Sequence, residues 1–338
     1  MKFDVVIGNP PYQETLKDTS DGAIYHHFYN LAEKVGSKYC LISPARFLFN
    51  AGNTDKSWNE HMLNDKHVKV VYYNPDARQV FPHTGFKGGV AVLYRNEEKD
   101  FGAIGMFTSY SQLNSIAQKV VNKEDFENII PSIYLQEKFD LESLYGDHAN
   151  LKAKIGSKGK EKRLTTSIFS TVDIFSDDKI SEDDVSILGL ITNQRFYKFI
   201  NRNYLESHPN LDKWKVIIPC ANGSGKLGEI FSSPLIGEPS VGFTQSFLSI
   251  GKFDTRFEAE NALKYIKSKF VRVMLGILKI TQHNPPPKWA KVPLQDFTSN
   301  SDIDWSKPIP EIDQQLYKKY SLSESEIDFI ETKVKPMD

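Results

Sequence analysis

The sequence predicts an α/β fold for roughly its first hundred residues, followed by a mixed α+β region. A nearly continuous apolar run, Phe3-Asp4-Val5-Val6-Ile7, is ended by Gly8 and two prolines, as expected of a strand buried on both faces of a parallel sheet. A helically spaced segment then leads into a second apolar run, which gives a β–α–β order. From about residue 101 the apolar spacing turns helical and polar stretches lengthen.

Residues 23–35 carry Ile24, Phe28, Leu31, Ala32 and Val35 at helical spacing, and Lys38 to Ser43 reads as a strand closed by Pro44. A helix near 57–64 precedes strands at Val68 to Tyr73 and Gly89 to Tyr94, joined by a polar stretch holding Pro75, Pro82 and Gly88-Gly89. Beyond 101, helices are expected around 111–121 and 138–146, with a Lys/Gly/Ser-rich loop or surface arm at 152–163. A strand at Lys215 to Ile218 leads into a glycine-rich piece, Ala221 to Gly228. Helices follow near 257–268 and 270–280, and the tail is helical at 310–319 and 323–334, where Ser323 opens a capping box with Glu326. The expected division is 1–100 and 101–338, and no internal repeat is visible.

At 338 residues the chain exceeds the usual size of one hydrophobic core, and 40% hydrophobic with 25% charged residues is the balance of a folded protein. No run of eighteen apolar residues occurs and the opening Met1-Lys2-Phe3-Asp4 is no secretory signal, so a cytoplasmic location is expected. Cys40 and Cys220 stand far apart without Cys/His clustering, which argues against a disulfide framework or a zinc site and for two buried thiols. A net charge of -1 makes no case for nucleic acid by itself. Acidic stretches such as 181–184 alternate with basic ones such as 158–163, each read first as solvated surface.

The chemistry-bearing motif is Asn9-Pro10-Pro11-Tyr12, set directly after the first strand. Ligands of open parallel sheets bind at the carboxyl ends of strands. An exocyclic aromatic amine is a poor nucleophile because its lone pair is delocalised into the ring. If the Asn9 side-chain oxygen and the Pro10 carbonyl accept its two N–H bonds, the nitrogen is drawn toward tetrahedral geometry and its lone pair points outward. The prolines hold the loop rigid and extended, and Tyr12 supplies a flat face for stacking a base. The competing reading is an ordinary proline turn or a short proline-rich ligand. The surrounding strand–helix–strand context disfavours it.

These residues resemble the adenine-N6 DNA methyltransferases of bacterial restriction–modification systems, of the type in which methylase and target recognition share one polypeptide. The matching pieces are Phe3 to Gln13, Ile42-Ser43-Pro44-Ala45-Arg46-Phe47, Val80-Phe81-Pro82 and Lys87-Gly88-Gly89-Val90. Further on they are Lys267 to Arg272, Val292 to Phe297 and Ile303-Asp304-Trp305-Ser306. The resemblance implies the C-terminal half of a Rossmann-like methyltransferase sheet plus a target-recognition domain, acting on double-stranded DNA with S-adenosylmethionine. It implies that Asn9, Pro10 and Pro11 form the amine site, and that Tyr12 and Phe81 stack on either face of an adenine flipped out of the duplex. Upstream of the motif the family carries a strand, a glycine turn and an acidic residue for the cofactor. Here the motif begins nine residues from Met1, so a fragment, or a split enzyme whose cofactor half is a separate chain, is expected.

For DNA contact the candidates are Lys87, Arg195, Arg202, Lys226, Lys269, Arg272 and Gln282 with His283, because such side chains reach phosphates and base edges. Lys269 and Arg272, three apart on a helix, form the best pair. Asn222-Gly223-Ser224-Gly225-Lys226 lacks phosphate-loop spacing and reads as a mobile loop. Two rival readings are a non-catalytic DNA-specificity subunit and a restriction endonuclease component. The second would gather a magnesium ion on Pro75-Asp76 and Glu97-Glu98-Lys99, a poor fit because the latter lies in a solvated run.

Overall fold

The computed structural model describes residues 3–14, 22–50, 53–82, 88–155, 159–223, 225–279 and 281–337. The chain divides into two units, Met1–Asn114 and Ser115–Asp338.

The first unit is a sheet dressed with helices. Strand β1 (Val6–Gly8) is followed by the short ribbon β2 (Gln13–Glu14) and β3 (Gly22–Ala23), then helix α1 (Tyr25–Val35) and strand β4 (Lys38–Pro44). Helix α2 (Lys56–Asn64), strand β5 (Val68–Asn74) and strand β6 (Val90–Asn96) complete it. The strand order is β1-β4-β6-β5, with β1 parallel to β4 and β6 antiparallel to both β4 and β5. Strands β1, β4 and β5 therefore run the same way, and α1 is the crossover of a β–α–β unit. Beneath the sheet, Tyr25, Tyr29, Tyr39, Phe47 and Trp58 form an aromatic core that the buried Met62 joins. Ile104 and Phe107 join it, so this unit runs to Asn114 and not to the polar turn near residue 100.

One expectation fails here. Residues 3–7 are not buried on both faces: Phe3, Val5 and Ile7 are 67%, 47% and 75% exposed. The reason is topological, because β1 lies at the edge of the sheet and pairs only with β4.

In the second unit, helix α3 (Ser111–Val121), which begins just before the division, leads to strand β7 (Ile133–Tyr134) and the short helices α4 (Leu141–Asp147) and α5 (Ile168–Thr171). Strands β8 (Asp184–Ile191), β9 (Gln194–Asn201), β10 (Trp214–Pro219), β11 (Leu235–Gly237), β12 (Val241–Phe243) and β13 (Phe247–Phe253) follow. They build two sheets, β11-β10-β13-β7 and β12-β8-β9. Helix α6 (Arg256–Lys267) packs on β10 and β13, and α7 (Lys269–Gly276), α8 (Ile309–Lys319) and α9 (Glu324–Lys333) pack in turn around it. The capping box expected at Ser323 and Glu326 opens α9, and a second, Thr255 with Glu258, opens α6. Cys40 and Cys220 are free and half-buried, and burial pushes the Cys220 thiol up to about 11. Among the described residues no helix is long and apolar enough to cross a membrane.

Candidate functional site

The parallel strands of the first unit bring their carboxyl ends to one end of the sheet, since Gly8 registers with Leu41 while Pro44 and Asn74 both register with Val90. The turns that follow β1, β4 and β5 meet there. Gly89 makes this fit: its φ is 78°, and a Cβ at that position would come 2.3 Å from the Asn74 carbonyl oxygen. The Ala45 N–H donates to the Gly89 carbonyl at 2.9 Å, which joins the entry of β6 to the end of β4.

Asn9-Pro10-Pro11-Tyr12 sits on this end. Asn9 and Pro11 are exposed, Pro10 is buried, and the half-buried Tyr12 packs against the aromatic core. Beyond the turn, the Ile24 N–H donates to the Tyr12 carbonyl at 3.2 Å, and Gln13 and Glu14 pair with Ala23 and Gly22. The turn is thus anchored by β1 on one side and the small ribbon on the other. Burial raises the Tyr12 phenol above its ordinary pKa, offset in part by a hydrogen bond with the Asn9 side chain.

Phe81 faces Tyr12 across the opening, with ring centroids 6.4 Å apart and planes inclined at 61°, an edge-to-face contact. It is held by the short turn Ala77–Gln79, where the Asp76 carboxylate accepts from the Arg78 N–H and the Phe81 N–H donates to the Ala77 carbonyl at 2.8 Å. Below, the fully buried Tyr29 hydroxyl lies 3.0 Å from the Ser43 hydroxyl, and burial pushes that phenol upward too. Tyr29 was not singled out from sequence. The available signal was Ser43 in an apolar strand, since a buried hydroxyl requires a partner.

The cationic candidates scatter. Arg195 donates to the Ser232 and Ser233 carbonyls at 2.8 and 2.7 Å and lies over the Phe247 ring. Arg202 grips the Asp212 carboxylate with two bonds of 2.6 Å. Lys226 and Gln282 are exposed, while Lys87 lies outside the described residues. Lys269 and Arg272 do not form the expected surface pair. Lys269 is bound to the Glu331 carboxylate, and Arg272 is 2% exposed. The Arg272 guanidinium donates to the carbonyls of Lys267 at 3.1 Å, Gly228 at 3.4 Å and Lys335 at 2.5 Å, and burial lowers its pKa to about 10. It ties the loop at Gly228 and the segment after α9 to α7 and leaves a phosphate nothing to bind.

The residues suggested for a magnesium site are not gathered. Asp76 follows Asn74, which registers with Val90 at the start of β6, whereas Glu97 follows Asn96 at its far end. At about 3.3 Å per residue the strand separates them by roughly 20 Å. Asp76 is bonded to Arg78, and Glu98 pairs with Lys38 at 3.4 Å.

The Eco57I restriction-modification methylase family matches residues 1–81. An uncharacterized adenine-specific methylase of Mycoplasma pneumoniae (strain ATCC 29342 / M129 / Subtype 1) is 36% identical over 98 residues, which make up 28% of this chain and 23% of that protein. The matched segment thus spans about a quarter of its relative. Among solved structures, the type IIG restriction endonuclease BpuSI aligns at 12% identity with a TM-score of 0.34, over 98% of this chain and 54% of that one. The type IIL restriction-modification enzyme MmeI, in complex with DNA, aligns at 8% identity with a TM-score of 0.33, over 97% and 56%. Residues 1–81, the part of the chain that is similar to the Eco57I restriction-modification methylases, are the segment that builds the Asn9–Tyr12 turn and the facing Phe81.

Proposed function

We propose that this chain is the target-base and recognition part of a DNA adenine-N6 methyltransferase of a restriction–modification system. In this reading the first unit is the C-terminal half of a Rossmann-like methyltransferase sheet, and the second is the target-recognition domain. The observation that carries it is the meeting of Tyr12 and Phe81 beside Asn9 at the carboxyl ends of parallel strands. An adenine extruded from the duplex slides onto the Tyr12 face and replaces the edge contact with Phe81 by stacking, which returns part of the cost of unpairing. Asn9 and the Pro10 carbonyl accept the two amine hydrogens, and the nitrogen lone pair turns outward to meet a methyl group in line. After transfer the nitrogen carries a surplus proton, which leaves through the exposed mouth at Asn9.

S-adenosylmethionine is the donor this reading implies. The residues described in the first unit fit the amine side of the reaction and do not form the strand and glycine turn that would cradle the donor. The open edge of β1 supports the addition of a further strand carrying that cradle, from the same polypeptide or another chain. Its outer backbone row is unpaired among the described residues, and Phe3, Val5 and Ile7 are exposed along it.

The test is expression of the chain together with a segment that carries the donor cradle, joined ahead of β1 or supplied as a second chain, in a host without adenine methylation, followed by single-molecule sequencing of its DNA. N6-methyladenine at one recurrent motif is expected, and it disappears in Asn9→Ala. Methylation confined to cytosine, or unchanged in Asn9→Ala, rejects the reading. DNA binding by the chain that never accompanies methylation favours the specificity-subunit alternative.

A further inference from the structure

In the second unit five strand ends meet at one face. Strands β8 and β12 are parallel, with Phe243 registering with Leu188, so both finish there. Strand β9 starts there, because Ile191 registers with Gln194. Strand β10 finishes where β13 starts, since Pro219 registers with Phe247. The connections at this end are stitched together. The Arg195 guanidinium donates to the carbonyls of Ser232 and Ser233, the Ser232 N–H donates to the Asn222 side chain at 2.6 Å, and the Asn222 N–H donates to the Gln282 carbonyl at 2.7 Å. The Cys220 N–H donates to the Ser246 carbonyl at 2.9 Å. Three exposed glutamines stand on three of these connections: Gln194 beside the β8–β9 turn, Gln245 between β12 and β13, and Gln282.

Strand β12 pairs with β8 only as far as Leu188, so beyond it the tip of the β8–β9 hairpin is a narrow two-stranded ribbon. Its turn residues Thr192 and Asn193 both take positive φ, 48° and 62°, the geometry of a tight two-residue connection. Phe196 and Tyr197 point to opposite sides of the strand and are 41% and 46% exposed. Charge is also divided along the strands. At this end Arg195 is held by neutral carbonyls, so its charge is not cancelled by them, and Lys226 is exposed. At the other end Glu182, Asp183 and Glu238 are exposed, while Asp212 is paired with Arg202 and Asp254 with Lys213.

We propose that this face reads duplex DNA through the major groove, with Gln194, Gln245 and Gln282 as the base-contacting residues and Arg195 and Lys226 on the phosphates. The inference rests on the reading of the second unit as a DNA-recognition domain. A two-stranded ribbon fits the width of the major groove, and a glutamine amide offers the paired donor and acceptor that match the N6 and N7 edge of adenine. The acidic end faces away from the duplex, where repulsion by phosphates is least.

The experiment is selection from a pool of random-sequence duplexes by the full chain, wild type against Gln194→Ala, Gln245→Ala, Gln282→Ala and Lys226→Ala, with circular dichroism to verify folding. The wild type is expected to enrich one motif, and each glutamine variant to lose about tenfold or more of the preference at its own position. Lys226→Ala should weaken binding to all sequences alike and lower the salt slope by about one. An unchanged motif in all three glutamine variants overturns the proposal, as does retention of duplexes with no motif at all. Failure to retain any duplex defeats the DNA reading itself, which separates the two.

Discussion

In the proposed reaction Asn9 and Tyr12 act through different atoms, so their substitution should separate chemistry from base capture. Asn9→Ala removes an acceptor needed when the amine becomes tetrahedral, and methyl transfer should fall by about a hundredfold to a thousandfold with DNA affinity nearly unchanged. Tyr12→Ala removes a stacking face, which should weaken capture of the extruded base by roughly 1–3 kcal/mol, while Tyr12→Phe keeps it. Single-turnover rates and duplex affinities for the three variants check this; equal losses in Tyr12→Ala and Tyr12→Phe would contradict it. At this scale the sequence was informative where chemistry is local. Asparagine followed by two prolines and tyrosine names its own geometry, and the Val80-Phe81-Pro82 match located the ring that meets Tyr12. It was uninformative for the cations, because a buried arginine and a phosphate-binding one look the same in a string. The Arg272 bonds to the Gly228 and Lys335 carbonyls join residues far apart in the chain.

Among the elements, β1 and the entry to β6 carry the clearest consequences. Gly89 combines a φ of 78° with a Cβ clash against the Asn74 carbonyl, so Gly89→Ala must move backbone and should lower stability by on the order of 3 kcal/mol. A urea melt within about 0.5 kcal/mol of wild type would show the turn to be more yielding than the structure implies. Ile7 presents the opposite case. It is 75% exposed, so Ile7→Lys should leave the chain's own stability within about 0.5 kcal/mol while blocking any strand from adding along β1. Analytical ultracentrifugation, and pull-down of a donor-binding segment where one exists, check the second half. The strong helices and the strands β4, β5, β6 and β10 were legible because their apolar periods are long and their boundaries carry Pro, Gly or a capping box. The hairpin β8–β9 and strands β11 to β13 were missed. Strands β11 and β12 are only three residues long, and β9 alternates weakly because Phe196 and Tyr197 are both exposed. The burial of β1 was misjudged because a strand's place in a sheet is set by its neighbours, which its own residues do not name.

For the whole molecule, the buried charges of the second unit set how stability follows pH. Glu137 is fully buried between its two sheets and accepts from the Phe243 N–H of β12 at 2.6 Å. Lys215 on β10, also fully buried, gives its ammonium to the Asn210 and Leu211 carbonyls at 2.6 and 2.9 Å, and the His208 ring lies 3.8 Å from the Glu137 carboxylate. Burial raises Glu137 from 4.5 to about 7, against a smaller opposing pull from Lys215, and burial lowers Lys215 to about 8. Because the folded value of Glu137 is the higher one, the fold holds its proton where the unfolded chain has released it. That contribution is fully present below pH 4.5 and is lost as pH rises through about 7. Lys215 stays charged in both states over that window and adds no slope of its own. His208, which burial holds below its ordinary value, slopes the other way and tempers the fall at its acidic end. Glu137 alone should thus make the second unit less stable at pH 7 than at pH 5.5, by on the order of 1–2 kcal/mol. Glu137→Gln keeps an acceptor for the Phe243 N–H but cannot titrate, so it should flatten the decline. Urea denaturation of both proteins across pH 5 to 8 reads this directly. A wild-type curve that rises toward pH 7 with the same slope in Glu137→Gln would mean that the carboxylate is ionised in the fold and that Lys215, reaching past its carbonyl partners, holds it so.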